Sequence, residues 1–495
     1  MKMVKTLLLG SAAGLMAVAG AQAADLPVKA KPVEYVKVCS LYGAGYYYIP
    51  GTDICMKVGG YVRYQSNWAN GGNSISNGPA EGTGGLNTRT NSSDWSQRTR
   101  AVATFDTRQQ TQYGTLRTYL LMGFQQDTNA GPPSTSPAVY ITRGFIQIAG
   151  FTFGKATSFY DFFPRAAIAY HAGSIFAADT GDGGQMVAAY TAQLGNGVSA
   201  SIAAEQSQRK PTSFSAAGIY GFGAAPTSNI LGASGVATAN TGIPDIVGNI
   251  RVDGAWGAFQ VAGVLHSASG GYYGTTENLG HPGDKWGFGI SPGIRINTPF
   301  IAAGDYFVAV ASYTQGAATF ASSSNSSNKL IWNGSNAAYG WLTDGIYGGS
   351  VAGGTATDVQ LTTAWSVAAA YEHYWTPNLH TSFYGSYLKV SHNDTAKSLI
   401  CATGTSGSVP WGTVAGGCNP DWSMWNVGSR SQWDVTKGLY LGVDVLYTRL
   451  QSAQVNGTGT FTTTGAIGAK PANTYTTSDQ SAWTAAFRIH RDIVP

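Results

Sequence analysis

Eight arginines, Arg63, Arg98, Arg100, Arg117, Arg143, Arg251, Arg430 and Arg488, fall on the same parity as small and polar residues in segments of alternating character. Guanidinium groups repeated along one face can raise a positive potential, bind anions, or hydrogen-bond across strands and stiffen a wall. Catalytic patterns are poorer. Asp179-Thr180-Gly181 has the form of an aspartic-protease triplet, but that chemistry needs a second carboxylate to share a proton, and no partner triplet occurs. Gly150 to Lys155 misses the phosphate-loop spacing and is followed by Ala156, not by a magnesium-binding hydroxyl. The seven histidines are scattered without an H-E-x-x-H pattern, and no C-x-x-C occurs, so the sequence points to no metal and no cofactor. His373 and His380 flank a turn and read as interfacial rather than as ligands.

Four cysteines form two close pairs, Cys39 with Cys55 and Cys401 with Cys418. Four cysteines allow three connectivities; an exported, oxidising compartment favours two local disulfides, with free thiols as the alternative. Export itself is read from Met1 to Ala23, where Lys2 and Lys5 precede an apolar stretch and Ala21-Gln22-Ala23 forms a small-x-small cleavage site. Residues 1–23 are therefore expected to be a signal peptide. Removing Lys2 and Lys5 with it lowers the formal charge from +4 to +2, which gives no reason to expect nucleic-acid binding.

The elements that must position the arginines are strands. Only 11% of the 495 residues are charged, yet mean hydropathy is near zero at −0.06. A soluble chain carries about a quarter charged residues, and a helical membrane protein is plainly hydrophobic. Glycine (66) and the aromatics (27 Tyr, 13 Trp, 19 Phe) favour β-structure with many turns and argue against disorder. No apolar run reaches the 18 or so residues of a membrane-crossing helix, so any crossing has to be made by a closed barrel.

Period-2 patterning runs through most of the chain. Val359, Leu361, Trp365, Val367, Ala369 and Tyr371 share one face, while Gln360, Thr362, Ser366 and Glu372 share the other. Leu439, Leu441, Val443, Val445 and Tyr447 likewise oppose Gly442, Asp444 and Thr448. Tight turns, at Gln109-Gln110, Ala149-Gly150, Gly195-Asn196-Gly197, 254–257, 297–299, 376–378 and 436–438, alternate with long loops rich in Gly, Ser, Asn and Thr. All long loops therefore leave one end of the sheet, the layout of an outer-membrane barrel. Sixteen strands are expected, roughly 56–66, 94–108, 111–125, 139–148, 151–156, 186–193, 198–206, 247–253, 258–266, 285–296, 304–315, 359–374, 379–391, 421–433, 438–450 and 479–491. A barrel of that width keeps an aqueous lumen. The fold class is all-β: a 16-stranded antiparallel transmembrane β-barrel with short periplasmic turns and long extracellular loops.

The sequence resembles the alphaproteobacterial porin family, the trimeric general porins of rhizobia, brucellae and their relatives. The resemblance is carried by Ala24-Asp25-Leu26-Pro27, Val36-Lys37-Val38-Cys39, the stretch from Tyr42 to Asp53, Cys55 to Arg63, Tyr113-Gly114-Thr115-Leu116-Arg117 and Gly150 to Lys155. It covers the mature chain and is strongest over 24–190. One departure is the end, Phe487 to Pro495, which lacks the terminal aromatic that outer-membrane assembly commonly reads.

The resemblance implies a periplasmic segment over 24–55, a barrel over 56–495 and a third long loop, 157–185, folded into the lumen as a constriction. Arg63, Arg98, Arg100, Arg117 and Arg143 would form a basic patch on one wall. Asp161, Asp179 and Asp182 of the loop would face them and set a transverse field. The function implied is an outer-membrane porin for passive diffusion of small hydrophilic solutes and ions. The alternative is a substrate-selective channel in which Tyr160, Phe162 and Phe163 offer sugars a stacking track. A barrel enzyme would need a lipid-facing Ser/His pair, but His266, His380 and His490 fall mostly on lumen parity. Expected partners are further copies in a homotrimer, outer-membrane lipid, lipopolysaccharide and the transported solutes.

Overall fold

The computed structural model describes residues 37–69, 74–75, 78–79, 95–128, 138–171, 175, 177–179, 183–207, 243–273, 277–322, 328–348, 354, 356–401, 419–453, 460–462 and 473–494. It divides into two units, Met1–Met56 and Lys57–Pro495. In the first, Tyr47–Tyr48 pairs antiparallel with Cys55 and Met56, and the Cys39 amide donates to Tyr46 O at 2.9 Å. A Cys39–Cys55 disulfide closes this hairpin over a separation of 16 residues, as expected from the first cysteine pair. Tyr42, Tyr46 and Tyr48 pack around the bridge. The second expected pair involves Cys418, which lies outside the described residues.

The second unit is a closed antiparallel barrel. Its wall strands are β1 (Cys55–Ala69), β2 (Trp95–Thr111), β3 (Gly114–Asp127), β4 (Ala138–Ile148), β5 (Phe151–Ala156), β6 (Gln185–Gly195), β7 (Val198–Glu205) and β8 (Asp245–Gly254). The second half comprises β9 (Gly257–Ala268), β10 (Lys285–Asn297), β11 (Tyr306–Gln315), β12 (Thr363–Thr376), β13 (Leu379–Ser391), β14 (Trp422–Thr436), β15 (Leu439–Gln451) and β16 (Gln480–Asp492). Each pairs with the next, and the register from Tyr61↔Asp492 to Ala69↔Thr484 joins β16 to β1. Closure removes both sheet edges, which hydrocarbon would leave unsatisfied.

Alternation decides which way each strand faces. On β12, Trp365 and Val367 are exposed outward at 40% and 41%, whereas Ala364, Ser366, Ala370 and Glu372 are buried inward. The outward rings of Trp365 and Tyr387 lie 5.1 Å apart, and those of Tyr447 and Trp483 4.9 Å apart, as an interfacial girdle requires. Strand positions match the sequence expectation to within a few residues. The turn expected at Gln109-Gln110 is a correction: Gln109 and Gln110 stay in the ladder opposite Leu116 and Thr115. The chain reverses at Gln112-Tyr113, where Gly114 takes φ 102°.

The loop 316–362 carries more structure than its composition suggests. Asn328–Asn333 and Asn336–Trp341 form a hairpin, and Asn336 and Ala337 pair in parallel with Thr476 and Thr477 of the loop before β16. Its Ile331, Tyr339 and Leu342 bury against the inward residues Leu388, Val390, Met424 and Leu450 of β13 to β15. Apolar residues two apart on one hairpin face are what turn this Gly- and Ser-rich stretch into a packed element.

Candidate functional site: the lumen and its inward loop

The described residues of the segment between β5 and β6 turn into the barrel and pack along the wall from β7 to β16. Its first part is held by buried side chains. Tyr160 is fully buried, with its hydroxyl 2.9 Å from Ser312 Oγ on β11. The Phe159 amide donates to Glu205 Oε1 at 2.7 Å, and Asn249 Nδ2 donates to Phe159 O at 2.6 Å. Phe162 lies against Gly293, where a Cβ would stand 2.4 Å from the ring's Cδ1, so only glycine leaves room for it. Arg251 covers the other side, with its guanidinium 5.2 Å from the Phe162 ring centre.

The loop's second part rests on a row of inward side chains that register places opposite one another on successive strands: Tyr306, Glu372, Ser382, Arg430 and Asp444. Ser382 Oγ donates to Ile168 O. Arg430 Nη1 donates to Ala167 O at 2.7 Å. Asp444 Oδ2 accepts the amides of Tyr170 at 2.5 Å and His171 at 3.1 Å, while its Oδ1 accepts the Tyr384 hydroxyl at 2.5 Å. Arg488 lies 3.9 Å over the Tyr170 ring. Charge-assisted bonds in a buried setting make this a firm seat.

On β1 to β4 the inward parity carries the arginines. Arg98 pairs with Asp127 at 2.5 Å, and Arg100 Nε donates to Gln125 Oε1 at 2.5 Å. Arg117 and Arg108 share Asp106, at 2.9 and 3.1 Å. Arg63 Nε donates to His490 Nδ1 at 3.3 Å, and Arg143 Nη1 to Thr142 O at 2.7 Å. Aromatic faces support three of them: Tyr61 under Arg63 at 4.6 Å, Tyr140 under Arg100 at 5.7 Å and Tyr119 under Arg117 at 5.2 Å. These contacts fix the guanidinium planes while leaving the groups charged.

The loop acids are placed differently from one another. Asp161 is half-buried, and its carbonyl accepts Gln260 Nε2 at 3.2 Å. Asp179 does not stand opposite the arginine wall: it is buried and held by Arg165 of the same loop at 2.8 Å, with the Arg165 amide on the same oxygen at 3.1 Å. Asp182 lies outside the described residues. The aromatic track is also corrected. Tyr160 and Phe162 are anchors beneath the loop, since both are buried, and Phe163 leans on Tyr306 at 5.9 Å. Sequence reading put Glu372 and Asp444 on the polar parity without assigning them to the arginines, and it left out Arg108, Arg295 and Asp127, which parity alone could have found.

Comparison with known proteins agrees with this architecture. Residues 25–486 match the family described as Porin subfamily. Porin Omp2b of Brucella melitensis is 33% identical over 270 residues, 53% of this chain and 65% of the relative. Porin Omp2a of Brucella ovis is 32% identical over 283 residues, 53% of this chain and 69% of the relative. The chain thus spans 65% of the length of the Omp2b relatives it matches. Among solved structures, the outer membrane channel DcaP of Acinetobacter baumannii superposes with a TM-score of 0.52 at 12% identity, covering 90% of this chain and 99% of that one, a likeness of fold. The family match takes in the whole wall as far as the middle of β16, so the chain belongs to the Porin subfamily and is a bacterial outer-membrane β-barrel protein.

Proposed function

We propose that this protein is a passive diffusion channel for small hydrophilic solutes and ions. The observation that carries the reading is the division of the lumen: the loop is seated on the β7 to β15 side, and Arg63, Arg98, Arg100, Arg108, Arg117 and Arg143 stand on the β1 to β4 side with Asp106 and Asp127 among them. A solute passing between loop and wall meets a surface with excess positive charge. Neutral molecules cross at little electrostatic cost, and anions are favoured locally. Asp161 supplies the opposing charge on the loop; Asp179 is neutralised by Arg165.

The working unit is a homotrimer. The outer face of β1 and β2 carries polar side chains: Trp95 Nε1 donates to Ser66 Oγ at 2.6 Å, and Gln97 Nε2 donates to the Tyr64 hydroxyl. On β8 to β10 that face carries exposed Ile246, Ile250, Leu265, Phe288 and Ile290. Polar side chains facing hydrocarbon are costly, so the first sector suits contact with a second copy and the latter suits lipid. Lipid and lipopolysaccharide then meet the aromatic girdle. Residues 1–23 act as a cleaved leader, and 24–55 as a periplasmic segment.

Single-channel recording of the purified protein in planar bilayers tests the reading. Stable, ohmic steps at several salt concentrations are expected, without saturation by sugars. Absence of steps from folded barrel, or saturable block by one solute, would overturn general diffusion.

A further inference from the structure

The loop 316–362 leaves β11 and returns to β12, yet it reaches four strands further round the barrel, to β16. Its base is tied beside the first two strands: the Gly316 amide donates to Thr362 O at 2.8 Å, and the Ala318 amide to Asp344 Oδ1 at 2.7 Å. The turn of its hairpin is tied at β16, where Asn333 Nδ2 donates to Gln480 Oε1 at 3.0 Å and to Ser481 O at 3.1 Å. Between these ends the Ala453 amide, just past β15, donates to Tyr339 O at 2.8 Å, and the Ser478 amide, just before β16, to Ala337 O at 3.0 Å. Trp422 of β14 lies against Gly340, where a Cβ would collide with the indole.

Parity puts this hairpin inside the barrel. Leu388, Met424, Leu450 and Ala482, one inward residue on each of β13 to β16, are buried in one cluster with its Ile331 and Tyr339. A ribbon laid on the wall narrows the lumen by about 10 Å, the usual spacing of packed layers. The inward loop occupies the same half of the wall at another depth. Leu450 lies under the hairpin and Asp444 takes the Tyr170 amide, and the six residues of β15 between them span about 20 Å along the strand. The two insertions also brace one another, since the Ala177 amide donates to Ala321 O at 3.2 Å and the Phe320 ring lies 5.0 Å from that of Tyr160. On the other half, Arg100, Arg108, Arg117 and Arg143 keep partial exposure.

We propose that the hairpin 328–341 is a second filter of the channel, a fixed ledge across the outer mouth that limits the size of an entering solute before the arginine wall acts on its charge; this rests on the diffusion-channel reading. Size and charge are separated because the ledge presents no open charge. Its turn, Gly334, Ser335 and Asn336, is exposed and uncharged, and Lys329, its only charged residue, is 1% exposed. The ledge stays in place because withdrawing it would expose an apolar cluster to water and break the bonds that hold it beside β15 and β16. A fixed ledge acts by cross-section. A solute too wide is turned away whatever its sign, and one that fits meets the guanidinium groups further in.

Deletion of 328–341, with a short Gly-Ser link in its place, retains the base of the loop with Ala318 and Phe320. In liposome swelling with polyethylene glycols of graded length, the variant should admit longer polymers than the parent, while its zero-current potential under a salt gradient stays near the parent's. Arg98→Ala with Arg100→Ala should do the converse, moving the potential and leaving the size cut-off. Should the deletion not fold, Ile331→Ser with Tyr339→Ser removes two apolar anchors and should move the cut-off the same way. A cut-off shared by the parent and the hairpin variants, or a change of selectivity alone, would overturn the filter. Placement can be read without a pore. In detergent, Met424→Cys should resist a maleimide while the hairpin is present and react once it is deleted, measured above the chain without that substitution. Equal reaction with and without the hairpin would overturn the ledge. Protection by the hairpin in a barrel that passes neither ions nor polymer would reject the channel reading, and the filter with it, while leaving the hairpin's placement intact.

Discussion

Arg117 and Asp106 meet across β2 and β3 with 2.9 Å between Nη2 and Oδ2. The same carboxylate also holds Arg108, so one acid restrains two guanidiniums on the basic wall. Asp106→Asn should move the zero-current potential under a salt gradient toward anions. The pairs are partly open to water, at 28% for each arginine side chain, so barrel stability should change by less than about 1 kcal/mol. An unchanged potential would remove these side chains from the ion path.

The opposite change is Arg98→Ala with Arg100→Ala. Both lie on the inward parity of β2, and their loss leaves Asp127 without its Arg98 partner at 2.5 Å. Reversal potential should move toward cations in dilute salt. The shift should shrink near 1 M, where screening falls to roughly 3 Å. Measurement at both salts separates a field effect from a change in pore shape.

Asp444→Ala removes the acceptor for Tyr170 N, His171 N and the Tyr384 hydroxyl at once. Each buried donor left alone costs about 1–3 kcal/mol, enough to free the loop tip while the ladder of β15 persists. Faster amide exchange around 167–171, with wall strands still protected, is the expected result. Equal protection would mean that Arg430 and Ser382 hold the loop unaided.

Asp421 offers a test in acid. Burial would raise its carboxyl, but hydrogen bonds from His392 and from Lys397, at 2.7 Å, bring it down to about 2. A lowered value stabilises the folded loop above the ordinary carboxylate range and is lost as pH falls toward 2. The helix Asp394–Cys401 should therefore keep its exchange protection at pH 4 and lose it near pH 2. Asp421→Asn should lose it at pH 4 already.

Cys39→Ser opens the bridge of the first unit. Closing a loop of this length is worth about 3 kcal/mol in the entropy model, so trypsin should cut at Lys37 far faster in the variant. Non-reducing peptide mapping of the parent should return Cys39 joined to Cys55.

The wall was legible because strand periodicity is local: Trp365, Val367 and Ala369 alternate with Ser366 and Ala368 whatever else the chain does. The turn beyond Thr111 was misplaced because Gln109 and Gln110 carry turn-like polarity yet continue the ladder to Gly114. The seat of the inward loop could not be read, since Asp444 accepts an amide 274 residues earlier in the chain. Parity shows that Asp444 points inward, and it is silent about what arrives there. Asp179 was set opposite the arginines for the same reason: its partner Arg165 is a neighbour in space through a fold of the loop that no period encodes.

The wall seats the loop largely by its peptide groups, through Ala167 O, Ile168 O, Tyr170 N and His171 N. Backbone atoms are common to every residue type except for the missing N–H of proline. The exposed Ala167 is therefore open to side-chain change without loss of its anchor, whereas Tyr170 also gives its ring to Arg488, so the loop can vary at some of its attachment points and is tied to its residue type at others.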